Sequence, residues 1–245
     1  MRLKDKTENL DYCETKRFFG KRANKYNENN PYAVTMYQDN NAELVKQRNT
    51  KEIEKLYPML KIDQNSRILD LACGIGRWAD AVQEEITEYC GVDFSEELIS
   101  IANERNKREN MIFLAGSITD IDRVLEENQK EYFNRILLIG ILVYINDEDL
   151  MQALHSIIKH CEEHCIVCIR EPIGLQNRLT LKDFYSEELE ENYNAIYRTD
   201  HELKKLFQDS FLSAGFAITH EGFLFEEDQL NNRKETAQYY YILER

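Results

Sequence analysis

Apolar residues fall in short blocks along this chain, and the spacing inside each block separates strands from helices. Arg67 to Leu71 is an apolar run of strand length with Asp70 near its end; Cys73, Gly74, Ile75 and Gly76 follow, and a helical pattern opens at Arg77 and Trp78. This reads as a buried strand, a glycine turn and a helix. Tyr89 to Val92 reads as a second strand ending in Asp93, and a helix follows the N-cap residue Ser95 through Leu98, Ile99 and Ile101. Met111 to Ala115 is a third strand and Ile118 to Leu125 a short helix. Arg135 to Val143 is continuously apolar, as expected of a strand covered on both faces. Asp147 to His160 is helical, and Cys165 to Arg170 is the fifth strand. Thr199 and Glu202 form a capping-box pattern that opens a helix through Leu212, and Ala217 to Phe225 and Gln238 to Leu243 read as two final strands.

Two regions break this rhythm. Residues 1 to 50 are polar and slightly basic, but Phe18, Phe19, Tyr26, Tyr32, Met36 and Tyr37 make them too aromatic for a disordered tail, so a cap or lid that orders on ligand is expected. From Ala42 to Leu60 the apolar spacing is helical, which suggests the helix that enters the fold. Residues 172 to 198 are longer than a connection between strand and helix needs and read as a substrate-side insertion, with Glu187 to Asn192 as a solvated helix face. The expected organisation is therefore α/β, with seven strands, a cap over residues 1–50 and a main domain over residues 51–245.

Composition narrows the function classes. A net charge of −14, from 31 basic and 45 acidic residues, repels a phosphate backbone, so nucleic acid is not an expected partner. No stretch approaches the roughly 20 apolar residues of a membrane span, and the first ten residues have no apolar signal region. Six cysteines without ordered spacing point to free thiols and a cytoplasmic setting.

Two glycines after a buried strand let the backbone turn tightly against a ligand, and a carboxylate such as Asp93 at the end of the next strand can accept both hydroxyls of a ribose. Gly74, Gly76 and Ala79 also satisfy the loose dinucleotide pattern, so the turn alone leaves the cofactor open. The full string of Asp70, Ala72, Cys73, Gly74 and Gly76 resembles motif I of the class I S-adenosylmethionine (SAM) methyltransferases. Asp70 suits the ammonium of SAM and would repel a pyrophosphate. The resemblance covers roughly residues 45 to 245 and implies a Rossmann-like sheet with helices on both faces and its last strand antiparallel. It further implies that Asp70, Ala72, Gly74 and Gly76 hold the methionine end of SAM, Asp93 the ribose, and that Phe94 flanks the adenine. Many members place an acid after the third strand; here Gly116 is followed by Ser117, so Ser117 or the backbone of Ile118 has to serve.

The resemblance places catalytic or metal-binding groups at the end of the fourth strand, where this chain has Ile139, Gly140, Ile141 and Leu142. No Asn-Pro-Pro-Tyr signature and no magnesium-holding carboxylate stands there. Tyr144 is the candidate wall of the methyl site. Glu171 is the candidate base, with Arg170 beside it, and Arg77, Arg178 and Arg198 are candidates to join Arg170 around an anionic substrate. The histidines and cysteines from His155 to Cys168 match no closed tetrahedral spacing, so no metal is expected. Residues 22 to 41 followed by Arg48 are also similar to small methyltransferases of bacterial surface-polysaccharide gene clusters, which implies that Tyr37 and Arg48 contact the SAM carboxylate or the acceptor.

The expected activity is SAM-dependent methyl transfer to an O or N atom of a small polar, phosphorylated or sugar-like molecule, by a monomer or homodimer. An NAD-dependent oxidoreductase and a catalytically inactive methyltransferase-like binding protein stand as the alternatives.

Overall fold

In the computed structural model, which describes residues 1–231 and 233–245, strand β1 (Arg2–Lys4) precedes helices α1 (Tyr12–Ala23), α2 (Ala33–Met36) and α3 (Ala42–Leu56). The alternating part follows as β2 (Arg67–Leu71), α4 (Arg77–Ala81), β3 (Glu88–Asp93), α5 (Glu96–Arg105), β4 (Met111–Ala115), α6 (Ile121–Glu127), β5 (Phe133–Ile139), α7 (Asp147–Lys159) and β6 (Cys161–Gly174). The chain ends with β7 (Leu179–Ser186), β8 (Glu191–Tyr197), α8 (Asp200–Phe207), β9 (Ala217–Phe223) and β10 (Thr236–Glu244). Local chemistry sets the helix starts. Asp11 accepts the N–H groups of Cys13 and Glu14, Ser95 that of Leu98, and Thr199 and Glu202 cap α8 reciprocally.

Seven strands form one sheet in the order β4-β3-β2-β5-β6-β10-β9. The β4-to-β6 part is parallel, and β10 lies antiparallel between β6 and β9. The strand order reverses between β2 and β5, and a crevice opens outside the carboxyl ends of strands at such a switch point. Successive β5 residues serve opposite layers. Ile136 and Leu138 pack with Leu125, Leu154 and Phe207, whereas Leu137 packs with Leu56, Trp78 and Ile99. A continuous apolar run is the sequence trace of that two-sided burial.

The structure departs from the sequence expectation in three places. β5 stops at Ile139 rather than Val143, because Gly140 adopts φ +74° and Leu142–Tyr144 form a 3₁₀ turn. β6 runs on to Gly174, paired with β10 at Glu171↔Tyr239, so Arg170 and Glu171 lie inside a strand rather than at its end. The 172–198 region is a β-hairpin, not charged loop with a helix. Residues 187 to 190 are its turn, and Leu189 is buried there, so no solvated helix face exists.

β1 pairs with β7, giving a second sheet of order β1-β7-β8. The N-terminal segment and the hairpin share one core, in which Phe18, Phe19 and Val34 pack with Leu181, Tyr193 and Ala195. That core reaches Ile75, Leu98 and Val143 of the main sheet's carboxyl edge. α3 runs unbroken through residue 50 and carries the chain from this cap into the main layer.

Candidate functional site

A cavity of about 460 Å³ lies between the cap and the carboxyl edge of the sheet. At one end stand the glycine turn and two carboxylates. Ala72, Gly74 and Gly76 all adopt left-handed φ, +62°, +57° and +78°. Gly74 and Gly76 do not line the cavity; they shape the turn that does. A Cβ on Gly74 would sit 2.7 Å from the Thr35 side chain of the cap. Ala72, by contrast, stands on the wall.

Asp93 is buried at the end of β3, where Oδ2 accepts the Gly74 N–H at 3.0 Å and Oδ1 the Ser95 N–H at 2.9 Å. Each oxygen keeps a lone pair for a hydroxyl. Asp70 Oδ2 accepts the hydroxyl of Tyr89 from β3 at 2.5 Å, and no described protein group donates to Oδ1 at the cavity wall. Burial pushes the Asp70 carboxyl up to about 7 and that of Asp93 up to about 6. Two desolvated carboxylates beside open space suit a ligand bringing an ammonium and hydroxyl donors. Phe94 lines the same end and meets Phe19 of α1 edge to face at 5.8 Å, and Ser117, Ile118 and Ile139 complete it.

Adjoining Asp70, the rest of the wall is built by α3, β6, β8 and the segment before β10. Glu52, 2% exposed, receives Arg77 and the Trp78 indole N–H on Oε1 and pairs through Oε2 with Arg170 Nε at 2.9 Å. Burial raises its carboxyl, but Arg170 and Arg77 together hold it below its ordinary value. The Arg170 guanidinium crosses Gly140, where a Cβ would sit 2.8 Å from Nη1, and donates to Gln238 at 3.2 Å. Arg48, one helical turn before Glu52 on the same face, is 5% exposed and lines the cavity, yet its Nε has no partner. Four phenols close this part of the wall. Tyr37 meets Tyr144 at 2.6 Å, Tyr144 meets Tyr193 at 2.9 Å, Tyr197 donates to Tyr193 at 3.5 Å, and Arg233 donates to Tyr197 at 3.1 Å.

Some sequence candidates go elsewhere. Glu171 does not line the cavity. Its Oε1 accepts the N–H groups of Ile141 and Leu142 at 2.7 and 2.8 Å, and Oε2 that of Val143 at 3.3 Å. It anchors the turn carrying Tyr144, and this geometry leaves it no reach to a substrate as a base. Arg178 and Arg198 pair with Asp147, and Arg178 also with Glu202, away from the cavity. His160 binds Asp122 and His155 the Asp209 carbonyl, and no group of three metal-type side chains occurs among the described residues. Glu52, Arg233, Tyr193 and Tyr197 were not legible as site residues. Only the i, i+4 placement of Arg48 and Glu52 carried a signal.

Residues 68–164 match the family model described as a methyltransferase domain. Phosphoethanolamine N-methyltransferase 1 of Triticum aestivum is 26% identical over 106 residues, 42% of this chain; the match spans about a fifth (21%) of that curated relative's length. Phosphoethanolamine N-methyltransferase 1 of Haemonchus contortus, solved with phosphoethanolamine and S-adenosylhomocysteine (SAH), superposes with a TM-score of 0.68. It is 14% identical, over 95% of this chain and 48% of that one. A putative S-adenosylmethionine-dependent methyltransferase from Listeria monocytogenes gives 0.61 at 16% identity, over 81% and 98%. No described helix is long and apolar enough to cross a membrane.

Proposed function

From the premise that the chain has the class I SAM-dependent methyltransferase fold, with a methyltransferase domain at residues 68–164, we propose that it transfers a methyl group from SAM to an O or N atom of a small polar acceptor. The carrying observation is one cavity whose lining joins the Asp70–Asp93 pair to an adjoining chamber of arginines and tyrosines. In this reading Asp70 holds the amino-acid end of SAM, Asp93 its ribose and Phe94 its adenine, with Ser117, Ile118 and Ile139 as walls. Bound SAM supplies an activated methyl on sulfur. The chain's own residues then align the acceptor, exclude water and take up one proton where the acceptor carries it. Tyr144 and Tyr37 of the cap line the cavity beside the methyl donor, and Glu171 acts by holding the Tyr144 turn.

The two phosphoethanolamine methyltransferases support a phosphorylated acceptor, and a role in decorating bacterial surface polysaccharide fits the same chemistry. The test is a thermal-shift titration followed by label transfer from SAM. Stabilisation by SAH with none by NADH supports the proposal, and the reverse makes the chain an oxidoreductase. SAH binding with no transfer to any phosphorylated or sugar acceptor marks an inactive binding protein.

A further inference from the structure

Resting on that reading, we propose that Arg48, Arg170 and Arg233 bind the tetrahedral oxyanion of the acceptor, a phosphate-like group carrying two negative charges. A chain of net charge −14 places four arginines, Arg48, Arg77, Arg170 and Arg233, in the lining of this cavity, where Arg77 faces both Glu52 and Asp70 and Arg170 shares Glu52. Glu52 already serves Arg77 and Arg170. Arg48 has no ion pair among the described residues, and Glu188 of the hairpin turn, whose charge acts on it, already accepts two N–H groups of Gln38. A buried guanidinium without a counterion is unfavourable unless a ligand supplies one. A single carboxylate would leave most of the positive charge uncompensated, whereas a phosphate-like group offsets two charges and matches the guanidinium fork.

The phenols add a donor by counting. Four hydroxyls supply four protons, and the three phenol–phenol links use three. Arg233 can only donate, so it takes up none of them. One O–H therefore remains to donate to a ligand at the chamber wall, and burial keeps these phenols protonated. The segment bearing Arg233 is tied to the same place, since the N–H of Gln238, Arg170's partner, donates to Asn231 at 2.9 Å.

The test titrates inorganic phosphate into the free and the SAH-saturated protein by calorimetry, with acetate and tetramethylammonium as comparison probes. Phosphate is expected to bind, acetate about tenfold or more weaker, and tetramethylammonium not at all. Arg48→Gln and Arg233→Gln should each weaken phosphate about ten- to hundredfold while leaving SAH affinity within twofold. Without phosphate, Arg48→Met should melt higher than the parent, because it removes an uncompensated charge; a structural arginine would melt lower when replaced. The proposal falls if phosphate fails to bind, if Arg48→Gln binds it as tightly as the parent, or if tetramethylammonium binds more tightly than phosphate. Phosphate binding lost in Arg48→Gln, together with no SAH binding, would keep the anion site and overturn methyl transfer.

Discussion

Replacing Glu52 by glutamine tests whether one buried carboxylate organises the chamber. Glu52 is 2% exposed and touches three donors, Arg77, Trp78 and Arg170. The amide keeps the shape and removes the charge, leaving two nearly buried guanidinia without their shared counterion and aiming an N–H₂ at one of them. Loss of one partner from a buried pair costs about 3 to 5 kcal/mol. For a chain of this size that corresponds to a melting temperature lower by roughly 6 to 20 °C. Urea unfolding followed by tryptophan fluorescence reports it directly, because the chain has a single tryptophan, Trp78, whose indole donates to Glu52. Adding Arg170→Gln removes one of the stranded cations and should recover part of the loss. A loss below about 1 kcal/mol, the scale of a solvated ion pair, would refute the claim that this carboxylate works in a desolvated setting.

Three further outcomes follow from the geometry. Asp70 and Asp93 are pushed up to about 7 and about 6, so the ligand-free protein holds protons there that the unfolded chain releases near pH 4; their contribution to stability is full below pH 4 and is lost as pH rises through 6 to 7. With the ammonium of SAH on Asp70, as proposed, ionised Asp70 is the binding form, so SAH affinity measured by calorimetry should rise by up to about tenfold per pH unit as pH rises towards 7 and then level off, and a flat profile from pH 5 to 8 would contradict the assignment. Glu171→Gln puts an amide N–H₂ against backbone N–H groups; it should cost about 1 to 3 kcal/mol and lower kcat through the Tyr144 turn while leaving the pH–rate profile in place, whereas a lost pH limb would restore Glu171 as a base. Gly140→Ala must hold φ +74° with its Cβ against Arg170, so a loss of about 1 to 2 kcal/mol with weakened phosphate binding is expected, and unchanged urea midpoint and phosphate affinity would contradict it.

Outside the hairpin of β7 and β8, the order of strands and helices from Arg67 to Leu243, and the glycine turn between Asp70 and Asp93, were legible in the chain because they depend on neighbours in sequence. A two-sided apolar run, an N-cap and a glycine turn are set within a few residues. Tertiary structure alone decided the arginine- and tyrosine-lined part of the cavity. Arg48, Glu52, Arg170, Tyr193 and Arg233 converge from a helix, two strands and a loop spread over most of the chain, and a charged residue shows no sign in one dimension of whether its partner is water or a buried cation. Glu171 illustrates the same point. It reads as a free carboxylate after a strand, and only the turn folding back from residues 140 to 144 reveals that backbone N–H groups occupy it. The cap was divided for an equivalent reason, since the pairing of β1 with β7 joins residues nearly 180 apart, and nothing local to either strand specifies the other.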